Sequence, residues 1–411
     1  MNLPNLLAEP PPGCGIRSAI ASGGRPLRIA LFSGNYNCVR DGANRALNRL
    51  VAHLLARGHE VRVYSPTIAE PAFAPAGDVV SVPSVAIPLR PEYRLAMGLP
   101  RAVEADVRDF APHLIHLSAP DLLGRAAQRL ARAMGVPLVS SLHTRFETYL
   151  DYYHLGFLRP TAERWLARFY AGVDMVLVPN AQMGTWLAEA GVTTPRRMWS
   201  RGVDAETFSP ARRDFAWRRA HGFTDQDVVV LFFGRMVAEK GLDTFEAMLR
   251  HLRAQRRCVR PLFVGDGPAR KAVEARLEDA VFTGHLDAGE LEVAVASADI
   301  LVNPSLTEAF GNVTLEAMAS GLAVVAADVP ATGALIRDGE TGLIVSARDA
   351  HAYADAVGRL QDDAAFRLRL GRAARARAMT FNWDAILDSV IEAYQETLAL
   401  KPSAGALPEA C

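Results

Sequence analysis

The stretch 307–321, TEAFGNVTLEAMASG, sets two carboxylates, Glu308 and Glu316, on either side of a Phe310-Gly311-Asn312-Val313 turn. Two glutamates at that spacing carry little alone, because chance produces the pattern often. Their setting gives them chemistry. The apolar run 300–304 ends in Ser305, a loop carries Glu308, and Asn312 is expected to cap a helix containing Glu316. A helix start at the carboxyl end of a parallel strand is where open α/β sheets bind ligands. The N–H groups of such a start suit a phosphate. A carboxylate one turn inside the helix can accept two adjacent hydroxyls, as a ribose presents them.

A second loop, 234–241 with the sequence GRMVAEKG, places Arg235 and Lys240 after the apolar run 228–233. Two cations at a strand end can neutralise a diphosphate leaving group. The turn 264–268, VGDGP, and the strand end Gly284-His285-Leu286 follow, the latter with backbone able to meet a nucleobase edge. His143 closes the run 137–143. In the first strand–helix loop, Asn37-Cys38-Val39-Arg40-Asp41-Gly42-Ala43-Asn44, Gly42 allows a close backbone approach to phosphate. Plainer readings compete. The glutamates fit an exposed loop and a helix surface, Arg235 and Lys240 solvated loop charges, His143 a satisfied strand-end histidine, and Asp41-Gly42 an ordinary turn.

The elements that must position these residues alternate regularly. Short apolar runs stand at 28–33, 60–65, 114–118, 137–143 and 175–179, then at 228–234, 261–265, 281–284, 300–304, 323–327 and 342–346. Most are continuous rather than alternating, which suits strands buried on both faces of a parallel sheet. Amphipathic helices lie between them. In 43–57 the residues Leu47, Leu50, Val51, Leu54 and Leu55 form one stripe, and Gly58 ends it. Strand–helix alternation in two series predicts an α/β fold of two doubly wound Rossmann-like domains, about 26–205 and 206–380, with the boundary near 202–210. A last helix, about 383–400, is expected to cross back onto the first domain. Residues 1–25 and 401–411 read as tails.

Composition narrows the class. Lys plus Arg and Asp plus Glu each number 45, so the net charge of zero argues against a whole-protein grip on nucleic acid. Cys14, Cys38, Cys258 and Cys411 are too scattered for a zinc site or a dithiol centre and fit a reducing compartment. No apolar run is long enough to span a bilayer, and the first residues lack the apolar block of a signal peptide. No GxGxxG follows the first strand of either series, which disfavours a nicotinamide-dependent oxidoreductase.

These segments, in this order, resemble glycosyltransferase family 4, and the resemblance runs from about residue 26 to 400. It implies the GT-B fold, two Rossmann-like domains facing across a cleft, with the donor on the second and the acceptor on the first. It identifies Glu308 and Glu316 with the family's E-x7-E motif, Glu308 near the transferred sugar and Glu316 on the donor ribose. Arg235 and Lys240 match its diphosphate-binding pair, Gly311, Asn312 and Val313 the backbone that meets sugar and phosphate, and His143 a histidine facing the sugar. Gly234, His285, Leu286 and Phe310 complete the expected donor site. The first-domain loop departs from the family's double glycine and keeps only Gly42. The implied activity is hexosyl transfer with retained anomeric configuration, with neither metal nor other cofactor.

The strings WSRGVD, 199–204, and FGNV, 310–313, resemble the branch of lipid mannosyltransferases and sulfoquinovosyl-diacylglycerol synthases. That implies GDP-mannose or a UDP-hexose as donor and a lipid or glycan acceptor. The missing span, with the Arg and aromatic residues of 145–170, leads to the expectation of a cytoplasmic protein with at most peripheral attachment at the inner face of the membrane. The stretch 145–170 interleaves Tyr149, Tyr152, Tyr153, Phe157, Trp165, Phe169 and Tyr170 with Arg145, Arg159, Arg164 and Arg168. It fits an acceptor border or a membrane surface. Equally, Trp165, Leu166, Phe169 and Tyr170 fit one buried helical face, with Arg164 and Arg168 in water. Rival functions are a GT-B nucleotide-sugar epimerase and a non-catalytic nucleotide-sugar-binding protein.

Overall fold

A computed structural model describes residues 25–39, 41–87, 90–143, 156–308 and 310–400 of the chain. They form two compact units. The first takes in the residues up to Leu142, then Trp165–Met198 and those from Val390 on; the second takes in His143–Arg164 and Trp199–Ser389.

In the first unit the strands β1 (Arg28–Phe32), β2 (Glu60–Ser65) and β3 (Asp78–Ser81) are followed by a hairpin, β4 (Ser84–Ile87) and β5 (Arg90–Ala96). Then come β6 (Leu114–Leu117), β7 (Leu138–Ser141), β8 (Met175–Val178) and β9 (Arg196–Met198). The sheet runs β3-β2-β1-β6-β7-β8-β9, and its neighbouring strands are parallel. The short edge strands β3 and β9 and the hairpin go beyond the sequence expectation. Asp78-Val79-Val80-Ser81 and Arg196-Arg197-Met198 lie partly exposed at the sheet's two edges, so they lack the continuous apolar signature of the central strands.

In the second unit β10 (Val228–Phe233), β11 (Val259–Val264), β12 (Val281–Gly284), β13 (Ile300–Asn303), β14 (Ala323–Ala327) and β15 (Leu343–Val345) form a parallel sheet in the order β12-β11-β10-β13-β14-β15. Its strands bury both faces, which is why they read as unbroken apolar runs. Along β10, Val229 and Leu231 join one hydrophobic cluster, and Val230 and Phe232 the other. Leu301 of β13 and Val324 of β14 join the first cluster, while Ile300 and Val325 join the second. The order in which strands are added reverses between β10 and β13, parallel neighbours in the sheet although β11 and β12 intervene in sequence. Loops leaving the carboxyl ends of strands at such a switch point splay apart and leave room for a ligand.

The last helix, Trp383–Leu400, begins in the second unit and ends in the first. In the first unit its buried Tyr394 hydroxyl lies 2.6 Å from Nδ1 of the buried His116, whose Nε2 lies 3.0 Å from Ser141 Oγ. Burial drives the His116 pKa down to about 3, so this imidazole is a neutral hydrogen-bonding link. In helix Arg159–Tyr170, Leu166, Phe169 and Tyr170 are buried and Arg164 and Arg168 exposed, as one helical face demands. Trp165 departs from that expectation. It is 39% exposed and stacks on Phe169 from outside. Arg145, Tyr149, Tyr152 and Tyr153 lie outside the described residues. So do residues 1–24 and 401–411 of the two tails, and Arg40 of the first loop.

Candidate active site at the switch point of the second sheet

The loops after β10 and β13 bring Lys240 and Glu308 together. Lys240 Nζ lies 2.6 Å from Glu308 Oε1, and both side chains are largely shielded, 28% and 15% exposed. Each is placed by local structure. After β10, Met236 turns inward into the core and its N–H bonds Asp266 O at 2.9 Å, so Arg235 before it faces water. The single turn Ala238–Lys240 follows and carries Lys240 back toward the β13 loop. On the β13 side, Asn303 ends the strand. Its Nδ2 donates to Thr314 Oγ1 at 2.9 Å and its Oδ1 accepts from Ser305 N at 3.2 Å. Asn303 thus pins both ends of the segment bearing Glu308. The sequence reading passed over it, although an amide ending the apolar run Ile300–Asn303 was a usable signal.

Burial alone would raise the Glu308 pKa. The charge of Lys240 and its hydrogen bond outweigh burial, with a smaller contribution from Ser305, and hold the carboxyl below its ordinary value. Glu308 is therefore an anion at neutral pH.

Helix Asn312–Ala319 starts beside this pair, with a correction to the expected cap. Gly311, not Asn312, is the N-cap, at φ 100° and ψ 53°, with no side-chain cap. Asn312 is already helical. Only glycine adopts that backbone cheaply, and the choice leaves the first-turn N–H groups uncapped by any side chain, as an anion site requires. Gly234 lies against this helix: a Cβ built on it would sit 3.8 Å from Val313 Cγ1. Glu316, half-buried, lies one turn further in. Phe310 turns its ring into the core, edge-on to Phe381 at 6.0 Å, so what it offers a ligand is backbone.

Toward β11 and β12 the strand ends close up. Gly265 N donates to Gly284 O and Gly234 N to Val264 O, both at 2.9 Å. A side chain on Gly265 would strike the Gly234 carbonyl, so glycine is required for the approach. His285 stands exposed after Gly284, and Leu286 packs on the core.

Gly42 and His143 make none of the contacts described above. Gly42 is the first residue of helix Gly42–Ala56 in the first unit, capped by Asp41, whose carboxylate accepts from Asn44 N at 2.8 Å. His143 belongs by its contacts to the second unit, with Nδ1 2.7 Å from Arg201 Nη2 and its ring edge-on to Trp199 at 5.0 Å. Arg201 was legible only as part of a resemblance string; its burial beside a histidine 58 positions away has no sequence signature.

A profile described as Glycosyltransferase Family 4 matches residues 40–207, and one described as Glycosyl transferases group 1 matches residues 227–363. A GDP-mannose-dependent alpha-mannosyltransferase of Mycolicibacterium smegmatis is 31% identical over 380 residues, 90% of this chain and 98% of that protein. The chain belongs to glycosyltransferase family 4. The sulfoquinovosyl transferase SQD2 of Arabidopsis thaliana is a second relative of this family 4 enzyme, 31% identical over 88% of the chain and 72% of its own length. Among solved structures, sucrose-phosphate synthase from Thermosynechococcus elongatus superposes with a TM-score of 0.75 at 24% identity, over 91% of this chain and all of that one (100%). That likeness shows the fold, GT-B, and the family makes the protein a glycosyltransferase. No helix of the described residues is long and apolar enough to cross a membrane.

Proposed function

We propose that this glycosyltransferase is a retaining hexosyltransferase that moves a hexose from GDP-mannose or a UDP-hexose to a hydroxyl of a lipid-type acceptor. The observation that carries the reading is the Lys240–Glu308 pair at the switch point, next to the helix start at Gly311. In this reading the second unit holds the donor and the first serves the acceptor. Lys240, the exposed Arg235 and the N–H groups of Asn312 and Val313 take the diphosphate, Glu316 takes the ribose, and Glu308 and His143 orient the sugar.

A double displacement needs a carboxylate free to attack the anomeric carbon. Glu308 is engaged by Lys240 and held as a fixed counter-charge, which supports same-face transfer instead. There the departing phosphate takes the proton of the acceptor hydroxyl, the new C–O bond forms on the face the diphosphate leaves, and the α configuration is kept. The protein supplies charge placed before the reaction, worth most where water is excluded.

The donor choice is supported by what the mannosyltransferase and sulfoquinovosyl relatives are named for. Attachment at the inner membrane face is supported by the exposed Phe157, Leu158 and Trp165 beside the exposed Arg164 and Arg168. The test is a panel of GDP and UDP sugars, scored for thermal stabilisation and slow donor hydrolysis. Stabilisation by one nucleotide class with cleavage of its sugar supports the reading. A protein that binds a nucleotide sugar and never cleaves it, with any acceptor, is a binding protein.

A further inference from the structure

Arg201 is 5% exposed, and its guanidinium bonds both its own segment and His143, 58 positions away. Nη1 donates to the carbonyls of Trp199 and Ser200, each at 3.2 Å, and Nη2 lies 2.7 Å from His143 Nδ1. The guanidinium stands 5.2 Å over the Trp199 ring, which His143 meets edge-on. The segment is itself clamped. Gly202 packs on the Trp383 ring, and Val203 N donates to Phe381 O at 3.0 Å.

A guanidinium has donors only and stays charged throughout the working pH range. The nitrogen 2.7 Å from it must therefore accept. An imidazolium would turn an N–H toward the guanidinium and set two cations side by side, and the Nδ1–H tautomer would make the same clash. Arg201 faces His143 at Nδ1, and the Trp199 ring covers a second side.

We infer that Arg201 is a positioning residue that holds His143 neutral, with its proton on Nε2, so that His143 meets the donor sugar as a fixed hydrogen-bond donor rather than as an acid or base. The last clause rests on the proposed role of His143 at the sugar; the protonation state does not.

The test is a pH titration by nitrogen NMR of protein labelled in histidine, with His143→Gln to assign its signals. In the wild type, Nδ1 is expected to stay unprotonated and Nε2 protonated down to pH values where ordinary histidines are mostly charged. Arg201→Met should let His143 titrate in the ordinary range and lower kcat roughly tenfold to a hundredfold through lost positioning, with nucleoside diphosphate affinity unchanged. Arg201→Lys keeps a cationic donor, should keep the neutral state, and serves if the Met variant does not fold. An imidazolium or an Nδ1–H tautomer at pH 7 in the wild type overturns the inference, as does a Met variant whose His143 titrates like the wild type. If His143→Gln turns over normally while the wild-type signals behave as stated, the role at the sugar fails and the protonation control stands.

Discussion

Lys240 and Glu308 lie 68 positions apart in the chain and 2.6 Å apart in space, joined across the adjacent strands β10 and β13. A shielded ion pair is rarely kept for stability, since desolvation consumes most of its attraction. Here the pair sits where a diphosphate is expected. Each partner sets the other: Lys240 keeps Glu308 ionised, and Glu308 keeps Lys240 aimed at the switch point.

Lys240→Ala is expected to lower kcat by about a hundredfold, the usual loss on removing one preorganised charge contact to a leaving group. Turnover measured under donor saturation checks this. Turnover within twofold of wild type removes Lys240 from the mechanism.

Glu316→Gln and Glu308→Gln should part company. A ribose contact is alike in ground and transition states, so Glu316→Gln should raise the donor KM and spare kcat. Glu308→Gln should lower kcat while GDP or UDP still binds. The assignment fails if the nucleotide binds Glu316→Gln normally and Glu308→Gln poorly.

Much of the second sheet was legible in the sequence. The runs at 228–234 and 300–304 read as buried strands because both faces of β10 and β13 are covered, and strand ends in such sheets announce a site. Other features were hidden for physical reasons. Asn312 looked like the cap because capping preference rewards a side-chain acceptor, whereas this helix start uses the left-handed backbone of Gly311 and leaves its N–H groups without one. The His143–Arg201 and His116–Tyr394 contacts join residues 58 and 278 positions apart, and no local pattern encodes them.

Tyr394→Phe should destabilise the protein by about 1–3 kcal/mol, because the buried His116 Nδ1 then loses its partner. Denaturant unfolding measures it. A loss below about 0.5 kcal/mol would mean that the helix end is held by its apolar contacts alone.

Asp121 gives a pH signature. It caps helix Leu122–Met134 by accepting from Gly124 N at 2.6 Å, yet burial pushes its carboxyl up to about 6 against the backbone hydrogen bonds that would lower it. Its folded pKa lies above the unfolded value, so the folded state takes up a proton first as pH falls. The cost of the buried charge is full above about pH 6 and is relieved below it. Relative to Asp121→Asn, which keeps the cap, the wild type should gain about 1 kcal/mol between pH 7 and 5. A pH-independent difference between the two contradicts this.

The most direct test of the central claim is the anomeric configuration of the first sugar product, followed by proton NMR while the enzyme acts on α-linked GDP-mannose and UDP-hexoses with a simple alkyl alcohol as acceptor. Same-face transfer at the Lys240–Glu308 site predicts that the first product is α. A first product that is β, or no cleavage of any donor in the panel, would contradict it.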